Sequence, residues 1–212
     1  MIDKLLKRYS LISDQVDVVE LRVILVEFVK ILDAKTPGDV VEFGCYKGTT
    51  SLFLARILRE LKSDKKLFLY DSFAGLPAKT HEDFSGVGAE FQAGELLATK
   101  ADLVREFAKT FPPEFIHHHV KIIKNWFNDV PPAKLPNQIS FAFFDGDFYD
   151  SVRDSFAKTD QKFAPCATIV IDDYQNEKLP GAARAVNAWR AKNQLRIAKF
   201  RAEKSLGIIY LS

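Results

Sequence analysis

Two apolar runs, each stopping at a pair of acids, constrain this chain more than any other feature of it. Residues 139–144, apolar except for Ser140, end at Asp145-Gly146-Asp147, and Thr168-Ile169-Val170-Ile171 ends at Asp172-Asp173. Short runs of this kind, rich in β-branched and aromatic residues, read as strands buried on both faces, the pattern of a parallel sheet covered by helices. Parallel strands end at a shared edge, and open α/β sheets bind their ligands in the crevice there. Two neighbouring strands that both end in acid bring three or four carboxylates together. Such a cluster repels itself unless a cation holds it, and hard oxygen donors suit Mg²⁺ or Ca²⁺.

The remaining segments fit that sheet. Strands are expected at 39–43, 67–70 and 119–124, with a closing hairpin of 195–200 and 206–211 around Ala202-Glu203-Lys204. Helical spacing lies between them, at 49–61, 101–111, 149–163 and 180–192. Strands alternating with helices and finishing in a hairpin predict an α/β fold, mostly parallel with an antiparallel edge. Residues 1–36 read as a helical cap, apolar on more than one side, to be buried under other elements or against a second copy in a homodimer. The span 72–99 is too long for a compact βα connection and reads as a lid or binding loop.

At 212 residues the chain suits a single domain. A net charge of +2 gives no reason to expect a nucleic acid or a membrane as partner. Two cysteines, Cys45 and Cys166, make no disulfide framework, and the N-terminus shows no signal-peptide core, so a cytoplasmic location is expected.

Glu42-Phe43-Gly44-Cys45-Tyr46-Lys47-Gly48 is a glycine turn between a strand and a helix whose start, Thr49-Thr50-Ser51, is hydroxyl-rich. A dinucleotide turn would carry glycine at position 46 and no acid before its first glycine. The carboxylate of Glu42 repels a pyrophosphate and attracts an ammonium group, which favours a cofactor with an amino-acid end, such as S-adenosylmethionine, over a nicotinamide. Asp71, ending the second strand, stands where an acid accepts hydrogen bonds from ribose hydroxyls in nucleotide-binding folds.

Four segments in order, 38–48, Asp71-Ser72-Phe73-Ala74-Gly75-Leu76-Pro77, 145–151 and Ile171-Asp172-Asp173-Tyr174, resemble the macrocin O-methyltransferase family, with Gly181-Ala182-Ala183-Arg184 fitting its late helix. The resemblance implies a Rossmann-like class I methyltransferase fold, a seven-stranded, mostly parallel sheet with an antiparallel last strand and helices on both faces. It implies S-adenosylmethionine and Mg²⁺ as cofactors and a small-molecule hydroxyl as acceptor, typically on a sugar of a natural product. By the same resemblance Asp145, Asp172 and Asp173 are metal ligands and Asp147 is the general base, with Asp145 shared between metal and cofactor. Glu42, Gly44, Tyr46, Gly48, Thr49, Ser51 and Asp71 form the cofactor cradle, and Ser72, Phe73 and Trp126 lie near ribose and adenine. The chain departs from the family at Asn125, where a glycine is usual, and at Cys166-Ala167 in place of Gly-Gly. A vicinal-diol or catechol acceptor, or a non-catalytic S-adenosylmethionine-binding protein, are the alternatives.

Other conspicuous residues have plain readings. Asp145 and Asp147 could cap the helix that follows them, and Asp150 suits the first turn of that helix. His117-His118-His119, if on a strand, would point to alternate faces and bind no metal together. Phe73, Phe84 and Phe91 are candidates for an acceptor pocket.

Overall fold

Alternation along the central strands sorts their side chains into two cores, one on each side of a sheet. On β1 (Asp39–Phe43) Val40 faces one core while Val41 and Phe43 face the other. On β4 (Ile139–Phe144) Phe141 and Phe143 join Val40, and Ala142 and Phe144 join Val41. This is the period-2 consequence of the pleat, and it explains why these strands are apolar throughout. The computed structural model describes residues 1–88 and 91–212; Ala89 and Glu90, within the span expected as a lid, lie outside the described residues.

The described residues form a seven-stranded sheet in the order β3-β2-β1-β4-β5-β7-β6. Its other strands are β2 (Leu67–Asp71), β3 (Val120–Lys124), β5 (Phe163–Ile171), β6 (Ile197–Glu203) and β7 (Leu206–Leu211). The strands from β3 to β5 pair in parallel, and β7 runs antiparallel to both of its neighbours. Strand order reverses direction between β1 and β4, the switch point where such sheets open a crevice.

Helices cover both faces. Residues from α2 (Val18–Asp33), α3 (Thr49–Glu60) and α4 (Lys100–Thr110) pack in the core that holds Val40, and α6 (Tyr149–Thr159) and α7 (Pro180–Lys192) in the core that holds Val41. The expected N-terminal cap is therefore two things. A short α1 (Ile2–Arg8) precedes an irregular stretch, and α2 is a full member of one helical layer, its Phe28 against Phe141 at 5.1 Å. Leu21, Ile24, Leu25, Phe28 and Ile31 of α2 are buried within the chain, while Val18 and Val19 at its start are exposed. Buried Glu27 on α2 accepts from Arg201 at 2.8 Å and Tyr210 at 2.9 Å, tying the helix to the terminal hairpin.

Three expected boundaries move. Pro112-Pro113 ends α4 but also starts α5 (Pro113–His119), because proline is tolerated at a helix N-terminus. The three histidines thus close a helix, with His119 stacked on Phe115 and its Nδ1 3.1 Å from the Lys65 carbonyl. The helix expected to run to 163 ends at Thr159, and β5 starts at Phe163. Its register against β4 jumps from Ile139↔Phe163 to Phe141↔Thr168, a bulge that holds Cys166 at φ 60°.

Candidate active site

The switch-point crevice is built by backbone before any side chain enters it. Asp145 N donates to Phe43 O, and Asp172 N donates to Phe144 O, both at 2.8 Å, so the ends of β1, β4 and β5 are tied side by side. Gly44 has φ 92°, and a Cβ there would lie 1.7 Å from the Asp145 carbonyl oxygen. Only glycine lets the two strand ends come this close. Tyr46 occupies the left-handed region at φ 46° in the next part of the turn.

Asp71 organises that turn. Its Oδ2 accepts from the backbone N–H of Cys45 (2.8 Å) and Tyr46 (2.9 Å), and its Oδ1 from Phe73 N (2.7 Å). The residue expected to meet ribose hydroxyls is thus seen to shape the turn. Beside it Glu42 is buried, and its Oε2 has no hydrogen-bond partner, as is true of Thr50 Oγ1 and Ser51 Oγ nearby in sequence. Burial pushes the Glu42 carboxyl up to about 8, and the charge of Asp71 adds to the rise. An orphaned buried carboxylate oxygen is costly, and a cationic ligand group is what would relieve it.

The acids meet at one cavity of about 540 Å³. Asp145, Asp147, Asp172 and Asp173 all line it, together with Gly44, Tyr46, Asp71, Ser72 and Trp126 from the expected cofactor set. Glu42, Gly48, Thr49, Ser51 and Phe73 do not. Gly48 caps α3 at φ 90°, Thr49 pairs with Ser13 at 3.2 Å, and Phe73 packs in a core. Trp126, 40% exposed, offers a ring at the wall.

Burial holds the Asp145 carboxyl well above the usual carboxylate range, and the charges of Asp172, Asp147, Asp173 and Glu42 push it further. Asp172 is raised to about 6, chiefly by burial. This donor set suits a hard divalent cation. Among the described residues, however, no three such side chains converge as a ligand group. Two of these acids already hold hydrogen bonds: Asp172 Oδ1 accepts from Asp173 N and Ser205 Oγ, both at 2.9 Å, and Asp173 Oδ1 accepts from Asn176 Nδ2 at 3.0 Å.

In the turn between the acids the glycine is not the left-handed residue. Gly146 keeps an ordinary φ, and the left-handed residue is Asp147, at φ 55°. Glycine is needed at 146 for space, since a Cβ would come within 2.8 Å of Ser151 Cβ. Asp173 is likewise left-handed, at φ 56°, so two of the four strand-end acids sit in strained backbone.

Neither Asp145 nor Asp147 caps α6. That task falls to Asp83, a buried residue of the long loop whose Oδ1 accepts from Tyr149 N at 2.6 Å while Oδ2 holds Thr80 N and Oγ1. Gly181 makes room for it, because a Cβ there would lie 1.9 Å from Asp83 Oδ1. Arg184 donates to the Glu82 carbonyl, and Ser85 Oγ donates to Glu177 O at 2.6 Å. The middle of the loop is thereby fastened to α6 and α7, while Leu76, Phe91 and Leu96 on either side line the cavity. Phe84, by contrast, is 66% exposed. Reading the sequence missed Asp83, and it missed Asp14, Gln15, Glu20, Asn176 and Ser205, which also line the cavity. Pro180-Gly181 marked a helix start, but its contact with Asp83 is visible only in the structure; no local pattern marks the others.

Comparison with known proteins bears on the family and the fold. A family model described as Macrocin-O-methyltransferase (TylF) matches residues 9–203. Demethyldecarbamoylnovobiocin O-methyltransferase of Streptomyces niveus is 26% identical over 165 residues, covering 76% of this chain and 62% of that protein. An 8-demethyl-8-(2,3-dimethoxy-alpha-L-rhamnosyl)-tetracenomycin-C 4'-O-methyltransferase of Streptomyces olivaceus is 28% identical over 148 residues, 68% of this chain and 56% of that one. The chain thus spans about three fifths of the length of the curated relatives it matches. Among solved structures, the O-methyltransferase NovP superposes with a TM-score of 0.79 at 22% identity, covering 92% of this chain and 80% of its own. The calicheamicin methyltransferase CalS11 gives 0.75 at 20%, covering 99% and 89%. At these identities the likeness shows the fold, a class I methyltransferase sheet. No helix among the described residues is long and apolar enough to cross a membrane.

Proposed function

The chain belongs to the macrocin O-methyltransferase family, and on that premise we propose that it transfers the methyl group of S-adenosylmethionine to a hydroxyl of a small glycosylated or polyhydroxy molecule, with a divalent cation, Mg²⁺ by preference, on its acid edge. The observation that carries this reading is the meeting, in one cavity, of four strand-end acids with the Gly44–Tyr46 turn and Trp126. Buried, unpartnered Glu42 Oε2 beneath the turn suits the ammonium end of the cofactor, Asp71 and Ser72 its ribose, and Trp126 its adenine.

Asp145, Asp172 and Asp173 would hold the cation, which when bound supplies Lewis-acid activation and orients the acceptor's oxygens. The chain's own work is otherwise positional. Asp147, almost buried and held at a fixed angle by its left-handed backbone, accepts the proton of the acceptor hydroxyl, whose pKa is far above neutrality. The walls from Leu76, Phe91 and Leu96 exclude water and keep the oxygen aimed at the methyl carbon.

Charge narrows the acceptor. Ten Asp or Glu residues and no Lys, Arg or His line the cavity among the described residues. Asp150 and Asp154 of this set pair with Arg153, and a lining otherwise without cations favours a neutral or cationic group over an anion. The acceptor is therefore a neutral or cationic glycoside, and a phosphorylated sugar is disfavoured. Methyl transfer to such glycosides should stop with EDTA and return with Mg²⁺, and calorimetry should show S-adenosylhomocysteine binding. Full activity of Asp172→Asn on a genuine acceptor would sink the cation-assisted reading.

A further inference from the structure

The tip of the β6–β7 hairpin reaches the acid edge from the far side of the sheet. Ser205 follows Lys204, which takes φ 58°, and it lines the cavity beside Asp172. Its backbone leaves it little freedom. Ser205 N donates to Glu20 Oε1 on α2 at 3.1 Å, and Ser205 O accepts from Gln175 N at 3.0 Å. Close by, Gly207 lets the Tyr174 ring seat against the strand, for a Cβ would lie 2.9 Å from that ring. The hairpin tip is thus pinned to α2 and to the 172–176 turn, with its hydroxyl left to aim at one target.

That target is Asp172 Oδ1, at 2.9 Å. The other described hydrogen bond to this carboxylate, from Asp173 N, falls on the same oxygen, also at 2.9 Å. Two donors on one oxygen fix the plane of the carboxylate and turn the second oxygen, Oδ2, away from them.

We propose that Ser205 is a positioning residue that locks the Asp172 carboxylate through Oδ1 so that Oδ2 is presented to a divalent cation shared with Asp145 and Asp173. The inference rests on the cation-assisted reading above and adds the residue that prepares one ligand in advance. A hydrogen-bonding partner behind a metal-binding carboxylate commonly changes ion affinity by about 10- to 100-fold. A serine whose role were only to hold the hairpin would change stability and leave ion affinity alone.

Mn²⁺ titrations followed by electron paramagnetic resonance, on protein saturated with S-adenosylhomocysteine, separate these roles. Ser205→Ala should weaken Mn²⁺ binding about tenfold while S-adenosylhomocysteine affinity stays within about twofold of wild type. Ser205→Thr, which keeps the hydroxyl, should restore most of the loss. Ser205→Gly gives the same reading if the alanine variant folds poorly. Equal Mn²⁺ affinity in wild type and Ser205→Ala overturns the proposal and leaves the cation reading standing. A wild-type protein that binds neither Mn²⁺ nor Mg²⁺ is a different result: it removes the cation reading, and this proposal with it.

Discussion

Glu42→Gln should make the cofactor-free protein more stable and a poorer binder of cofactor, and the two effects have one cause. The Glu42 carboxyl is pushed from 4.5 up to about 8, chiefly by burial. In the unfolded chain it loses its proton near 4.5, whereas the folded protein keeps it to about 8. Between those values the folded state binds the extra proton, so stability falls as pH rises. The interval of about 3.5 pH units, at ~1.4 kcal/mol each, puts the full penalty at about 5 kcal/mol above pH 8. Glutamine has nearly the shape of the protonated acid and cannot ionise, so the variant escapes this penalty. Urea unfolding in EDTA, without cofactor, should give nearly matching midpoints at pH 5. At pH 9 the variant's midpoint should lie about 2 M higher, taking a slope of ~2 kcal/mol per molar urea. On the proposed reading, in which Glu42 meets the ammonium end of the cofactor, S-adenosylhomocysteine should bind the variant more weakly. A midpoint difference that stays constant from pH 5 to pH 9 would refute the reasoning, for it would mean that Glu42 ionises alike in both states.

Two further outcomes follow from the packing around the site. Asp83→Ala removes the acceptor for Tyr149 N and should destabilise the protein by about 1–2 kcal/mol, lowering the thermal midpoint by about 2–8 °C; Gly181→Ala, forced against the same carboxylate, should do likewise in calorimetry. Cys166→Gly relieves a left-handed non-glycine residue in the β5 bulge and should stabilise by about 1 kcal/mol, read as a higher urea midpoint, whereas Cys166→Val should lower it.

Much of the fold was legible because its signals are local. Continuous apolar runs ending at acids or glycine turns located all seven strands, all but β5 to within a few residues, and Pro180-Gly181 marked the start of α7. The boundaries that moved did so where a local rule admits two outcomes. Pro113 both ended one helix and began another, and the start of β5 was hidden by a bulge whose irregular residues carry no alternation.

The site divides in the same way. Asp145, Asp147, Asp172 and Asp173 could be named from sequence because each ends a recognisable strand, and a parallel sheet must bring such ends to one edge. What sequence could not supply was the work of residues distant along the chain. Asp83 caps a helix 66 positions away, and Ser205 bonds Asp172 across 33. Glycine at 44 and 146 could be seen, but that one admits a neighbouring backbone and the other a serine side chain became evident only from contacts. The sequence by itself determined the order of strands along the chain, the acids at their ends and the family to which they belong, since those depend on short-range chemistry. Tertiary structure decided which residues line the cavity, which carboxylate oxygen lies buried without a partner, and which loop is fastened, because each depends on burial and on partners brought near only by folding.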